Sequence, residues 1–303
     1  MNTYRTIGVF ALLAFFWGTA FVAIRAGLAN LPPVLFAGFR YDIAAVIMLG
    51  YAIFVTEDWL PQSKPDIIAV GISATFVIAL YNAFLFVGQQ EVTSGVAAII
   101  VATSPIITTA LSWVLVPENR LTVTGLIGLV AGFIGVGLVA VPDPTALTTG
   151  EIESSLLVLL AAFSVALGSV LLQRLNHSLS TEATVAWACA IGAIMLHVIS
   201  FSLPTESLSE ATFTWEAVIA TVYLAVFASA IGYFFYFDLL ERVGAVEINL
   251  VSYAAPVFAA LFGWLLLDEQ ITAQTVLGFG IIFAGFVLLK RDALVQRVHT
   301  HIL

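Results

Sequence analysis

Long apolar stretches dominate the chain, and short polar segments separate them. Nine stretches contain no Asp, Glu, Lys or Arg, at residues 6–24, 67–90, 92–117, 121–142, 154–173, 183–205, 217–237, 248–267 and 270–289. A tenth stretch, at 34–56, is interrupted only by Arg40 and Asp42. Because about 20 apolar residues cross the hydrocarbon core of a bilayer, this pattern predicts an all-α membrane protein with ten transmembrane helices.

The composition agrees with a membrane environment. Hydrophobic residues make up 61% of the chain and charged residues 10%, whereas soluble domains carry about 25% charged residues. The formal net charge of −9 argues against nucleic acid as a partner. The single cysteine, Cys189, cannot form an internal disulfide, and its apolar neighbours indicate a packing role.

The basic residues indicate how the chain is oriented. If the N-terminus is cytoplasmic, Arg25 is the only basic residue between spans on the outer side, and Arg40 lies within the second span. The other eight all fall on the inner side: Arg5, Lys64, Arg120, Arg174, Arg242, Lys290, Arg291 and Arg297. The positive-inside rule therefore predicts a multi-pass protein of the plasma membrane with both termini in the cytoplasm.

The two halves of the chain share a repeated pattern. Three residues of the fourth span and its exit recur 151 positions later, as Pro105 with Pro256, Trp113 with Trp264 and Glu118 with Glu269. A unit of five spans crosses the membrane an odd number of times, so its second copy must enter the membrane from the opposite side. The pattern predicts two inverted five-helix repeats, at 1–142 and 150–291, followed by a cytoplasmic tail at 292–303.

Small residues mark the fifth and tenth spans. Gly128 and Gly132 form a G-x-x-x-G motif, and Gly280 with Ala284 mirrors it in the tenth span. Small residues at this spacing let two helix backbones approach closely, so we expect tight helix packing here.

Four sets of residues form motifs, and the fourth set repeats the third in the second half of the chain. They are Phe16-Trp17-Gly18; Pro33, Phe36, Arg40 and Ala44–Ala45; Ser94 to Ala98 through Ser104-Pro105 to Glu118; and Gly244-Ala245 through Ala255-Pro256 to Asp268-Glu269. On the basis of these residues, the chain resembles EamA-type permeases of the drug/metabolite transporter superfamily. The resemblance implies a ten-helix transporter with a central cavity lined by spans 1, 3, 4, 6, 8 and 9. In span 7, Ala188 or its neighbours replace the arginine of span 2, so we expect Arg40 to act asymmetrically.

Polar and aromatic side chains at helical spacing suggest a substrate cavity. A polar stripe on a membrane helix must face protein or water, not lipid. The candidates are Trp17, Phe21, Tyr81, Asn82, Tyr233, Tyr236, Asn249, Ser252 and Tyr253. An aromatic pocket with scattered hydrogen-bonding groups suits small organic solutes. The alternative interpretation is ordinary packing and interhelical hydrogen bonding.

The second span carries the intramembrane charges Arg40 and Asp42. Two residues apart on a helix, they point to nearly opposite sides, so each needs its own partner. One hypothesis is that Arg40 positions an anionic group and Asp42 takes part in proton coupling. The alternative is a structural role, with Glu91 as partner of Arg40. Pro105 and Pro256 lie near mid-span and predict matching helix kinks, which shape the cavity or act as hinges.

The absence of several catalytic sequence motifs narrows the range of functions that we expect. There is no G-x-x-x-x-G-K-[ST], H-E-x-x-H or G-x-S-x-G motif, so we expect neither ATP hydrolysis nor an intramembrane hydrolase, and no cofactor or metal. A single histidine in the seventh span, His197, is expected to be structural. We expect a secondary active transporter of a small organic metabolite, such as an amino acid, working by alternating access with a coupling proton or ion. An uncoupled channel or facilitator and a lipid-carrier flippase are the alternatives, and a homodimer is left open.

Overall fold

A computed structural model describes residues 3–115, 123–140, 149–243, 248 and 250–289. These residues form ten main helices and no strand. The helices are α1 (Thr3–Gly27), α2 (Pro33–Val55), α3 (Lys64–Gly88), α4 (Ser94–Leu115), α5 (Val123–Ala140), α6 (Thr149–Gln173), α7 (Thr181–Ser202), α8 (Trp215–Val243), α9 (Val251–Leu267) and α10 (Ala273–Leu289).

The helices have the length and surface of a membrane protein. Within the described residues, seven helices are long and apolar enough to cross a bilayer, and α5, α9 and α10 are shorter apolar helices. Large apolar side chains cover the outside of the bundle, including Val46 at 74% exposure and Phe201 at 68%. Such a surface is stable against lipid and costly in water, so the prediction of an all-α membrane protein is confirmed.

Short polar side chains begin several helices. Thr93, Ser180 and Thr214 each accept a hydrogen bond from a backbone N–H in the first turn of α4, α7 and α8. At α3, Ser63 and Asp66 cap each other's backbone N–H groups reciprocally. The first turn of a helix has no intrahelical acceptors for its N–H groups, so these caps fix where each helix starts.

Carboxylates from the other half of the chain also cap helix starts. Glu206, which follows α7, accepts hydrogen bonds from the first two backbone N–H groups of α2 at 2.8 and 3.0 Å. Asp66 accepts from the backbone just before α7. Glu269, after α9, accepts from the backbone N–H of Ser94 at the start of α4. These contacts tie the first five helices to the last five.

Glycine contacts show that α5 and α10 pack antiparallel. A Cβ at Gly128 would lie 2.4 Å from the carbonyl oxygen of Gly285, and one at Gly278 would lie 2.8 Å from that of Gly135. Close packing of α5 is therefore as predicted, but its partners in α10 differ from the prediction. A Cβ at Gly280 would meet no atom within 4 Å, because that residue faces away from α5.

Other helix pairs follow the same antiparallel rule. Near one end of α2, Gly38 lies against His197 of α7, and beyond its other end the Trp59 and Trp187 rings stack with centroids 6.0 Å apart. The start of α4 lies against the end of α9. Furthermore, α1 packs on α8 and α9 as α6 packs on α3 and α4. These particular pairs therefore correspond when each helix is exchanged for its counterpart five helices away.

Two helices contain wide, π-helical turns at corresponding positions. The segment Ser73–Leu80 interrupts α3, and the segment Leu224–Ile231 interrupts α8, with both bounds 151 residues later. A side chain of another helix reaches a carbonyl in each: Ser164 Oγ donates to Phe76 O at 2.7 Å, and Trp17 Nε1 donates to Ala228 O at 3.2 Å. The π-helical turns are therefore built into the helix packing of both halves.

The two mid-span prolines differ in their surroundings. A turn at Ala102 and Thr103 breaks α4, and Pro105 is the second residue of its second part, Ser104–Leu115. Pro256 instead lies inside α9, which continues from Val251 to Leu267 without a break. A proline near a helix start loses no intrahelical hydrogen bond, whereas an internal one does. The two prolines therefore differ in their place within the helix, and matching kinks stay a prediction.

Candidate solute-binding site

Arg40 lies at the junction of α2, α3 and α8. Its side chain is buried, with 8% exposure. Its Nε donates to Ser229 Oγ at 3.0 Å, and its Nη1 donates to Asn82 Oδ1 at 3.4 Å. The amide nitrogen of Asn82 in turn donates to the Tyr41 hydroxyl at 3.2 Å and to the Ile78 carbonyl at 2.7 Å. Four polar side chains from three helices are therefore fixed in one hydrogen-bonded network.

The charge of Arg40 has no acidic counterpart nearby. Glu91, the partner considered from the sequence, is exposed and forms no ion pair with Arg40, so that assignment is wrong. Among the residues that the structure describes, no carboxylate lies within 4.0 Å of the guanidinium. Two of its five N–H groups donate to the partners above, and the other three have no acceptor in the described part of the chain.

Tyrosine side chains surround the same point. The Tyr41 ring centroid is 4.9 Å from the Arg40 Cζ atom. Tyr81 directly precedes Asn82 in α3, and Tyr233 lies one turn after Ser229 in α8. A tyrosine hydroxyl can donate or accept a hydrogen bond. We call this set the Arg40 cluster: Arg40, Tyr41, Tyr81, Asn82, Ser229 and Tyr233.

The π-helical turns position two members of the Arg40 cluster. Ser229 lies within the π-helical segment of α8, and Asn82 follows that of α3 within one turn. A π-helical turn displaces the following residues around the helix axis, and such turns are frequent at functional sites. Here they aim polar side chains of α3 and α8 at the same arginine.

A second polar and aromatic contact joins α1 to α8. The Trp17 and Tyr236 rings stack with centroids 5.8 Å apart, and the Trp17 indole N–H is held by the Ala228 carbonyl. Both side chains are half-buried. Trp17 and Tyr236 were predicted to share a cavity, and the structure brings them into direct contact.

Asp42 lies apart from Arg40 and pairs with a histidine. Its Oδ2 is 2.8 Å from His197 Nε2, and the two side chains are 48% and 24% exposed. Gly38 leaves the room for the imidazole, since a Cβ there would lie 2.8 Å from its Cε1 atom. His197, expected from the sequence to be structural, therefore joins α7 to α2 through an ionisable pair.

The other predicted site residues are separate from the Arg40 cluster. Phe21 is buried near the C-terminal end of α1, where its carbonyl accepts a hydrogen bond from Gln89. Tyr253 packs its ring on α10, and its hydroxyl has no hydrogen-bond partner among the described residues. Ser252 is half-buried in α9. Asn249 lies outside the described residues.

The predicted site lacked Tyr41 of the Arg40 cluster. Tyr41 follows Arg40 directly in α2, and its hydroxyl reaches Asn82. Ser229 lies one turn before Tyr233 in α8, on the side of the helix that faces α2. Helical spacing alone places Ser229 on one side of this span with Tyr233 and Tyr236. Nothing in the sequence alone pairs this face with Arg40, 189 residues away.

The apolar helix bundle and its enclosed polar cluster define a multi-pass membrane protein with the architecture of a transporter. Comparison with known proteins agrees with this class. A family model described as the EamA-like transporter family matches the chain twice, at residues 5–141 and 153–291. The chain belongs to the EamA-like transporter family, as its motifs indicated.

Relatives match almost the entire chain. An uncharacterized transporter of Archaeoglobus fulgidus is 28% identical over 93% of this chain and 98% of its own. The uncharacterized transporter YdfC of Bacillus subtilis is 30% identical, with 96% and 93% covered. A WAT1-related chloroplastic protein of Arabidopsis thaliana is 27% identical, with 91% and 67% covered. One solved structure shares the fold with a TM-score of 0.66 at 19% identity, covering 97% of this chain and 99% of its own.

Proposed function

We propose that this protein is a secondary active transporter of a small organic metabolite, such as an amino acid, and works by alternating access. The proposed moving units are two inverted five-helix repeats, at 1–142 and 150–291. One observation carries the proposal: the π-helical turns of α3 and α8 recur at a spacing of 151 residues, in helices with equivalent packing partners. Inverted repeats of this kind are typical of secondary transporters, whose two halves exchange inward-open and outward-open shapes.

The proposed solute site is the Arg40 cluster together with the stacked pair Trp17 and Tyr236. The cluster joins α2 and α3 of the first repeat to α8 of the second through Asn82 and Ser229. When one repeat moves against the other, the geometry of a site that both repeats share changes. Binding a solute there can therefore favour one arrangement of the repeats, because a ligand shifts a conformational equilibrium by its difference in affinity for the two states.

The pair of Asp42 and His197 is the proposed coupling site for a proton. It bridges α2 of the first repeat and α7 of the second, and both side chains are partly exposed. Rotation of one repeat against the other changes the distance between these two groups. A proton bound to the pair in one arrangement and released in the other would link transport to the pH gradient.

Counterflow in liposomes tests the proposal. Purified protein is reconstituted, loaded with unlabelled metabolites one at a time, and assayed for uptake of the same labelled metabolite. We expect saturable counterflow for at least one small metabolite, and its loss in Asn82→Ala. Glu210→Gln changes an exposed residue of the outer loop and should transport like the native protein. Flux that does not saturate would instead indicate a channel, and absence of flux for all metabolites would refute the proposal.

A further inference from the structure

The geometry points to Arg40 as an anion-binding subsite, which takes the carboxylate or phosphate group of a small organic solute. The inference rests on the proposed function only for its transport assay, since binding of an anion can be measured without transport. Three observations carry it: the burial of the arginine, the lack of a carboxylate partner, and the kind of polar groups around it.

The first observation concerns the cost of the charge. An arginine within the membrane is expensive unless a counter-charge or water compensates it. Arg40 is 8% exposed, and its partners Ser229 and Asn82 are neutral. Hydrogen bonds to two neutral groups do not neutralise the positive charge of the guanidinium. An anionic ligand would supply the missing charge.

The second observation separates Arg40 from the other charged groups described in the bundle. Asp42 is paired with His197, and Arg242 is paired with Asp238. Arg25 donates to the carbonyls of Gln89 and Gln90 at the end of α3, where helix carbonyls carry partial negative charge. Arg40 has only neutral side chains as hydrogen-bond partners among the described residues.

The third observation concerns ligand chemistry. A guanidinium with three free N–H groups matches the two oxygens of a carboxylate or the several oxygens of a phosphate. Tyr81 and Tyr233 neighbour the Arg40 partners Asn82 and Ser229 along their helices, and their hydroxyls can donate hydrogen bonds to a ligand. A neutral solute would use the tyrosines and amide but would gain nothing from the charge. The site therefore favours solutes with an acidic group.

Matched pairs of solutes test the inference on purified full-length protein. Melting temperature is measured with N-acetyl-L-leucine and N-acetyl-L-leucinamide, N-acetyl-L-alanine and N-acetyl-L-alaninamide, and glycerol phosphate and glycerol, each at increasing concentration. We expect saturable stabilisation by the acid of at least one pair and a weaker effect of its neutral analogue. Losing a hydrogen bond to a charged group corresponds to a roughly tenfold to hundredfold weaker affinity. Comparing the response to the acetylated amino acids with the response to glycerol phosphate shows whether the site takes a carboxylate or a phosphate group.

Variants assign the effect to this arginine. Arg40→Gln should abolish the preference for the acid, and Arg40→Lys should retain it at reduced affinity. Arg174→Gln removes one positive charge at an exposed position of the chain after α6 and should change nothing.

A third variant keeps the test decisive if Arg40→Gln does not fold. Asn82→Asp introduces a carboxylate beside the Arg40 guanidinium, since the present contact is 3.4 Å. The aspartate cannot make the amide's hydrogen bonds to Tyr41 and Ile78, but it supplies a negative charge beside Arg40, so it should remove the response to anions. Equal stabilisation by acid and neutral analogue, an acid preference that survives in Asn82→Asp, or no stabilisation by any acid would overturn the inference. The proposed function fails separately, if counterflow is absent while anion binding persists.

Discussion

Replacing Glu206 should destabilise the protein through the start of α2. The carboxylate is buried at 7% exposure and accepts hydrogen bonds from the Val34 and Leu35 N–H groups at 2.8 and 3.0 Å. Both residues are themselves buried at 1%. In Glu206→Ala, these two N–H groups lose their only acceptors among the described residues. The first turn of α2 then loses both its cap and its contact with the segment after α7.

The magnitude follows from the two hydrogen bonds. A hydrogen bond to a charged group contributes about 1.5–3 kcal/mol, and a negative charge at a helix start adds about 0.3–1 kcal/mol. Water entering at the membrane surface recovers part of the loss, so we expect about 2–4 kcal/mol for Glu206→Ala. Glu206→Gln keeps one carbonyl acceptor and should lose about half as much.

Thermal unfolding in detergent, followed by tryptophan fluorescence, measures the effect. Glu210→Ala is the matched control, since Glu210 lies on the same loop and is exposed. We expect a melting temperature several degrees lower for Glu206→Ala, an intermediate value for Glu206→Gln and no change for Glu210→Ala. If Glu206→Ala has the same melting temperature as the Glu210→Ala control, the Glu206 carboxylate does not stabilise the start of α2, and the reasoning is wrong.

Three further outcomes are expected. Gly128→Leu should lower stability by about 1–3 kcal/mol, because its Cβ would meet an α10 carbonyl oxygen at 2.4 Å. Gly137→Ala, with no atom within 4 Å of its Cβ, should be tolerated in the same unfolding assay. An imposed pH gradient should drive uptake by the native protein but not by Asp42→Asn, and equal uptake would exclude this residue from coupling. In a background without the native cysteine, Glu57→Cys and Glu210→Cys should react with impermeant thiol reagents from opposite sides of the membrane, and labelling from one side would contradict the orientation.

The helices were predictable because each is a local property of the chain. Apolar stretches of about 20 residues can bury their backbone in lipid only as helices, and all ten predicted spans coincide with helices in the described residues. The small residues of α5 were also informative, because a glycine such as Gly128 has few uses in a membrane helix besides close packing. The matching contacts in α10 depend on which helix face is turned toward α5, and the motif chosen from spacing placed them wrongly at Gly280.

The candidate site was predictable only in part. Arg40, Asn82 and Tyr233 were selected because polar side chains must avoid lipid, and the structure brings them to one point. Phe21 and Tyr253 met the same criterion of helical spacing, but they pack elsewhere. Spacing along one helix identifies a face without identifying what the face contacts.

The sequence by itself determined the membrane environment, the number of helices and the repeated motifs, because hydropathy and small-residue spacing act within one helix or one repeat unit. Only the tertiary structure decided the pairing of Asp42 with His197, the neutral partners of Arg40 and the capping of α2 by Glu206. The contacts of Asp42 with His197, of Arg40 with Ser229 and of Val34 with Glu206 join residues 155 to 189 positions apart. Their geometry depends on helix rotation and on π-helical turns, which follow from the packing of many helices together.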